Sequence, residues 1–267
     1  MAALTLRPNL AELIDHAWQA ARDLPGFLLE NEARFLAMAA ACAPEDGVIV
    51  EIGSFKGKST VVLGTVAKHY GLGPVVAIDP HTFHSAELEE YRSKPGASSY
   101  DEFMRSIESA NLENIVEVHR DFSNAVCAHW QRPIRFLWID GDHSYAGAKA
   151  DFDGFMPHVV EHGIVAFHDA LHEFAGPIRV FVEDVLRSND YGAAGFVNSI
   201  AWSQYRPADG EQFHAQRAQL AKRAELLIPF LNDETGLKGA RKALYKLRRS
   251  QVPRSLPTLQ EFASALG

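Results

Sequence analysis

Cysteine is nearly absent: Cys42 and Cys127 are the only two in 267 residues, and neither has another Cys or a His beside it at metal-ligand spacing. This argues against a disulfide framework and a zinc cluster, and a reducing cytoplasm is the expected setting. Long apolar runs are lacking too. Stretches such as Val48 to Val50 and Val61 to Leu63 fall far short of the ~20 residues that cross a bilayer. The N-terminus has no basic segment followed by an apolar one and a small-residue cleavage site, so neither a membrane partner nor export is expected. Positive charge is in deficit. The 26 Lys and Arg stand against 34 Asp and Glu, a formal net charge of −8, which argues against broad nucleic-acid binding through phosphate neutralisation. A small molecule is the expected partner. There is no internal repeat or low-complexity tract.

What is present is the balance of a folded protein, 47% hydrophobic and 22% charged, in a chain long enough for one large core with appended helices. Residues 1–45 carry apolar positions Phe27, Leu28, Phe35, Leu36 and Met38 at helical spacing and read as an N-terminal helical cap. From 46 to 206 short apolar runs alternate with helical segments: strands at 47–53, 74–79, 115–119, 134–139 and 164–167, with helices at 57–70, 100–110, 123–130, 144–160 and 178–187. This alternation predicts an α/β fold, a mostly parallel sheet covered on both faces. Residues 195–198 and 200–205 read as two strands joined by a tight turn, which gives the sheet an antiparallel edge. A polar loop around Ser93 to Ser99 is expected to be mobile. Residues 207–267 form a C-terminal helical extension whose basic stretch, Lys238 to Arg249, reads as a solvated helix face. Terminal helices of this kind are compatible with a homo-oligomer.

The first strand breaks into Glu51-Ile52-Gly53-Ser54-Phe55-Lys56-Gly57-Lys58-Ser59-Thr60. Glycines at a strand-to-helix turn let a ligand approach the backbone, and the helix N-terminus offers free N–H groups, so a nucleotide-like ligand is implied. A phosphate-binding loop needs four residues between its glycines. Here Gly53 and Gly57 enclose three, and Glu51 adds a negative charge near the place of the phosphates. Asp79, ending the second strand, is placed to accept both hydroxyls of a ribose, although a turn former before Pro80 would look the same. A nicotinamide dinucleotide stays open on this evidence from Asp79, though the loop is not G-x-G-x-x-G. Asp140, Asp142 and His143 end the fourth strand and His168-Asp169 the fifth, where open α/β sheets bind ligands, so these groups should converge. With an ordinary pKa near ~6.5, His143 suits removal of a hydroxyl proton.

The stretches E-I-G-S-F-K-G-K-S-T at 51–60, A-I-D-P at 77–80, F-L-W-I-D-G-D-H-S-Y at 136–145 and G-I-V-A-F-H-D at 163–169 together resemble class I S-adenosylmethionine-dependent methyltransferases. Among these the metal-assisted small-molecule O-methyltransferases, acting on catechols, caffeoyl esters and natural-product sugars, look most similar. The resemblance spans roughly residues 45–205. It implies a Rossmann-like sheet of seven strands with the last antiparallel, S-adenosylmethionine as cofactor, and a small-molecule hydroxyl as acceptor. It places Glu51, Gly53 and Ser54 at the methionine end of the cofactor, with Ser59 and Asp140 also on the cofactor, Asp79 on the ribose, and Asp121 with Phe122 at the adenine. It makes His143 the general base and Asp140, His168 and Asp169 the ligands of a divalent cation, Mg²⁺ or Mn²⁺. A His in the place of the family's oxygen ligand leaves three alternatives: a softer cation than Mg²⁺, a His168 that does not ligate, or a lost metal. Asp121 could instead cap the helix that follows, Asp140 and Asp169 could be strand-end residues bonded to loop N–H groups, and His143 could be a plain loop residue. His81 and His84 are expected to be exposed loop residues, and Tyr145 to sit behind the site. The identity of the acceptor is not legible.

Overall fold

The computed structural model describes residues 4–82, 98–232 and 237–267. Its strands are β1 (Val48–Ile52), β2 (Val75–Ile78), β3 (Val116–His119), β4 (Ile134–Ile139), β5 (Val159–Phe167), β6 (Tyr191–Val197) and β7 (Ile200–Tyr205). They form one seven-stranded sheet in the order β3-β2-β1-β4-β5-β7-β6. Pairing is parallel through β5, and β7 runs antiparallel to both β5 and β6. The expected Rossmann-like sheet with its antiparallel closing strand is therefore present. Among the described residues no helix is long and apolar enough to cross a membrane.

Helices α1 (Leu10–Ala21), α2 (Glu30–Cys42), α3 (Lys58–Tyr70), α4 (Tyr100–Ser109), α5 (Ser123–Cys127), α6 (Tyr145–Phe155), α7 (Gly176–Val180), α8 (His214–Ala224), α9 (Gly239–Arg249) and α10 (Leu259–Leu266) surround it. Strand alternation splits the core in two. Ile49, Ala77, Trp138 and Ala166 face α1 to α4 and α10, while Val50, Ile78, Ile139 and Phe167 face α6 to α9. The first 45 residues belong to this core: the small side chains of α2 allow Phe35 to reach Trp202 of β7 and Phe262 of α10, with ring centroids at 5.7 and 5.6 Å. Buried Arg135 ties the same layer down by donating to the carbonyls of Ala40 and of Pro44, the latter at 3.0 Å.

Two boundaries differ from the sequence expectation. The helix expected over 144–160 stops at Phe155, because Pro157 has no N–H to donate to the carbonyl four residues earlier, and the chain passes through a short 3-10 turn into a strand that begins at Val159. Strand β5 is thus longer than 164–167, but it is broken by a bulge against β4 and by His162 at φ 64°. The helix expected over 178–187 starts earlier, at Gly176, and widens into a π-helical segment over Phe181–Leu186. The polar loop around 93–99 lies mostly outside the described residues, as does His84. His81 is not exposed: it is buried against Tyr100 and Phe103, its Nδ1 2.8 Å from Ser99 Oγ.

Gly53 is required by close approach. Its φ is +87°, and a Cβ there would sit 2.1 Å from the Asp140 carbonyl oxygen, where β1 and β4 run out side by side. Gly71, ending α3 at φ +64°, has nothing within 4 Å of such a Cβ. In urea unfolding, Gly53→Ala is expected to cost about 3 kcal/mol or more through backbone displacement, and Gly71→Ala about 1 kcal/mol of left-handed strain alone. Equal losses would contradict the close approach.

Candidate functional site

A cavity of about 430 Å³ opens at the C-terminal ends of β1, β4 and β5, a size in the range of small-molecule sites. Gly53, Ser54, Ser59, Asp140, His143, His168 and Asp169 all line it, so these sequence-assigned residues are brought together. Glu51, Asp79, Asp121 and Phe122 do not line it. Unassigned neighbours complete the wall: Glu32 and the 25–29 segment, Phe55, His172, Phe174 and Ser199.

The floor is built from strand ends. Asp140 follows β4, its N–H bonded to the Ile52 carbonyl at 2.8 Å, and His168 follows β5, its N–H bonded to the Ile139 carbonyl at 2.9 Å. The His168 ring is buried and donates through Nδ1 to Asp140 Oδ1 at 3.0 Å, while Nε2 lies 3.5 Å from Glu32 Oε2. Asp169 Oδ2 is 3.6 Å from Nδ1. Burial alone would push the imidazole toward neutrality, but the charges of Asp140 and Asp169 and the hydrogen bonds to Asp140 and Glu32 hold its pKa well above the ordinary value. With no cation in the site, the neighbouring carboxylates therefore favour the protonated His168 ring, a form that does not ligate.

His143 takes the open position. Its Nε2 lies 3.4 Å from Asp140 Oδ1 and 3.8 Å from Asp169 Oδ2, and its ring stacks on Phe174 at 4.7 Å between centroids. Its backbone is fixed from the far side: the Gly176 N–H donates to the His143 carbonyl at 3.0 Å, so tightly that a Cβ on Gly176 would meet that oxygen at 2.5 Å. The ligating atoms of Asp140, His143 and Asp169 all lie within 4.8 Å of one another. Burial would raise the Asp140 carboxyl, but the His168 charge and the hydrogen bonds from His143 and His168 keep it below its usual range.

The glycine loop forms the adjoining wall. Ser54 is buried, and its Oγ has no hydrogen-bond partner among the described residues. Glu51 points toward α3, where the Ser59 and Thr60 hydroxyls donate to its carboxyl group and pin the start of the helix, Ser59 also lining the cavity. Burial pushes its pKa up to about 8 against those hydrogen bonds, with Asp140 and Asp79 adding to the rise. The rise weakens the argument from a Glu51 charge, and the case against a phosphate loop rests on the glycine spacing. Asp79 holds the loop from outside the cavity: Oδ2 accepts the Phe55 N–H at 2.7 Å and Oδ1 the His81 N–H at 2.6 Å. Asp121 is exposed, and its carboxylate accepts the N–H of Phe122, itself 48% exposed. Tyr145 donates to Glu183 Oε2 at 2.8 Å under the Arg179 guanidinium, behind the site as expected.

Residues 50–170 match the family model described as a methyltransferase domain. Several solved structures are similar. The O-methyltransferase NovP is 13% identical, with 74% of this chain and 98% of that one covered and a TM-score of 0.55. The O-methyltransferase TomG from Streptomyces achromogenes, solved in complex with S-adenosylmethionine, is 17% identical over 73% and 90% of the two chains, at a TM-score of 0.51. A methyltransferase from Geobacter sulfurreducens is 18% identical over 76% and 92%, at 0.50. These likenesses speak for the fold.

Glu32 binds more than His168. Its Oε1 also accepts the Ser199 N–H at 3.1 Å and Oγ–H at 2.6 Å, and Oε2 the Leu29 N–H at 3.0 Å. Burial raises its pKa, yet His168, Ser199 and Leu29 outweigh it and bring the group from 4.5 to about 2. A depressed carboxyl stabilises the fold above its unfolded pKa and loses that contribution as pH falls through the folded value, whereas His168, raised above 6.5, contributes below that pH and loses it on the alkaline side. Glu32→Gln is expected to cost about 3 kcal/mol in urea unfolding near pH 6 in the presence of a chelator, with the deficit shrinking as pH falls below about 4.5. A deficit independent of pH would contradict the ion pair.

Proposed function

We propose, from the match of residues 50–170 to the methyltransferase-domain model, that the chain is an S-adenosylmethionine-dependent methyltransferase that methylates a hydroxyl oxygen of a small molecule, with His143 as the general base, in a reducing cytoplasm. The observation that carries this is the imidazole of His143 at the cavity floor, 3.4 Å from Asp140 and beside the glycine loop. S-adenosylmethionine fits that wall: Gly53 lines the cavity with bare backbone, and the buried Ser54 hydroxyl has no hydrogen-bond partner among the described residues. When bound, it supplies a methyl group on a positively charged sulfur. Asp140 orients the His143 ring, and His143 takes the hydroxyl proton as the acceptor oxygen bonds to that methyl. His168 neutralises part of the carboxylate charge and keeps Asp140 in place. Asp79, Asp121 and Phe122 would carry the ribose and adenine end, outside the cavity described.

A second reading is favoured by one observation, the clustering of Asp140, His143 and Asp169. Two carboxylates and an imidazole fit a divalent cation, Mn²⁺ better than Mg²⁺. Such a cation would lower the pKa of the acceptor hydroxyl, and His143 would then be its ligand in place of His168.

Calorimetry with S-adenosylhomocysteine tests the premise: micromolar binding is expected, weakened at least about tenfold in Asp79→Ala. Transfer of labelled methyl to a panel of phenols and sugars then tests the chemistry, with kcat expected to fall about 10²- to 10⁴-fold in His143→Gln at unchanged cofactor affinity. Activity that survives a chelator supports His143 as base. Activity lost to the chelator and restored by Mn²⁺ supports the second reading, and absence of cofactor binding refutes both.

A further inference from the structure

Helix α9 is mounted with its apolar side outward. Tyr245 is 1% exposed and donates to the His172 carbonyl, Arg249 Nη1 donates to the Leu171 carbonyl at 3.1 Å, and Lys242 pairs with Glu173 at 2.6 Å. Positions 242, 245 and 249 share one face, which is the face against the protein. At about 100° per residue, Ala240, Ala243, Leu244 and Leu247 share the opposite one. All four are exposed, Leu244 at 50% and Leu247 at 59%. Exposed Lys246 flanks this strip on one side and exposed Arg241 and Arg248 on the other. From 238 to 254 the sequence holds seven Lys and Arg and no acid, in a chain of net charge −8.

We propose that α9 is an interfacial docking helix for an anionic lipid surface, with Leu244 and Leu247 entering the headgroup boundary and the flanking cations reaching lipid phosphates. An apolar strip between two basic margins matches such a surface, because long cationic side chains extend to the headgroups while leucines insert. Physiological salt screens charges beyond about 8 Å, so the local positive sign governs the contact and not the net negative charge. A second copy of the chain fits poorly. An 11-residue helix offers a strip of roughly 16 by 10 Å, on the order of 160 Å² against about 800 Å² per partner in a stable dimer, and self-pairing would oppose like charges. Nucleic acid would meet leucines where its phosphates need cations. The contact is peripheral and leaves the absence of a spanning segment untouched.

The test is co-sedimentation of the full chain with vesicles of phosphatidylcholine, alone or with about one third phosphatidylglycerol, at about 0.1 M salt. Partitioning is expected to favour the anionic vesicles at least about tenfold, and to fall about tenfold in Leu244→Ser/Leu247→Ser and again in Lys246→Ser/Arg248→Ser. Unchanged thermal melting of both variants verifies that the fold survives. Equal partitioning to both vesicles, or none to the anionic ones, would overturn the proposal. So would binding to a DNA duplex that needs the cations but not the leucines, or self-association without lipid that the leucine variant abolishes.

Discussion

A buried imidazolium held among three carboxylates is the interaction on which the site depends. His168 sits where β5 ends, and its partners come from three places: Glu32 from α2, Asp140 from β4, and Asp169 from the next position in the chain. Burying one such charge unpaired would cost several kcal/mol, and pairing it fixes all of its neighbours. The N-terminal helices are thereby tied to the cavity end of the sheet by an ion pair as well as by packing, and Ser199, in the turn before β7, is drawn into the same network through Glu32. What is left open toward the cavity is His143, on a loop locked by Gly176.

The sheet supplies the rest. Parallel strands bring the ends of β1, β4 and β5 to one edge, and the turn at Gly53 is possible only because no Cβ stands between it and the Asp140 carbonyl. The same close contact leaves backbone and the Ser54 hydroxyl facing the cavity. Beside the cavity, Ser59, Thr60 and Glu51 hold the start of α3, and burial raises the Glu51 carboxyl well above its usual range.

Much of this was legible in the sequence. Strand β4, apolar between Pro133 and Asp140 except for Arg135, is read correctly from end to end. The convergence of Asp140, His143 and Asp169 follows from strand ends alone. The role of His168 does not, because its pKa is raised first by Asp140 and Asp169 and also by Glu32, which lies more than a hundred residues away. A signal existed: Glu32 shares a helical stripe with Phe35, Leu36 and Ala39, and a carboxylate on a buried stripe needs a partner. The direction of Glu51 was also in reach, since period-two alternation puts it opposite Val50 and Ile52. Phe174 and His172 gave no local sign, for their placement is set by α9 gripping the loop after β5 through Tyr245, Arg249 and Lys242. The start of β5 was hidden by a bulge that interrupts its apolar pattern.

The assignment of His168 as a buried cation between Glu32 and Asp140 is tested most directly by neutron diffraction from the deuterated protein near pH 7. Deuterium on both ring nitrogens of His168, with Glu32 and Asp140 bare, is the expected result. A singly protonated His168 beside a protonated Glu32 or Asp140 would contradict it, and would return His168 to the set of groups able to bind a cation.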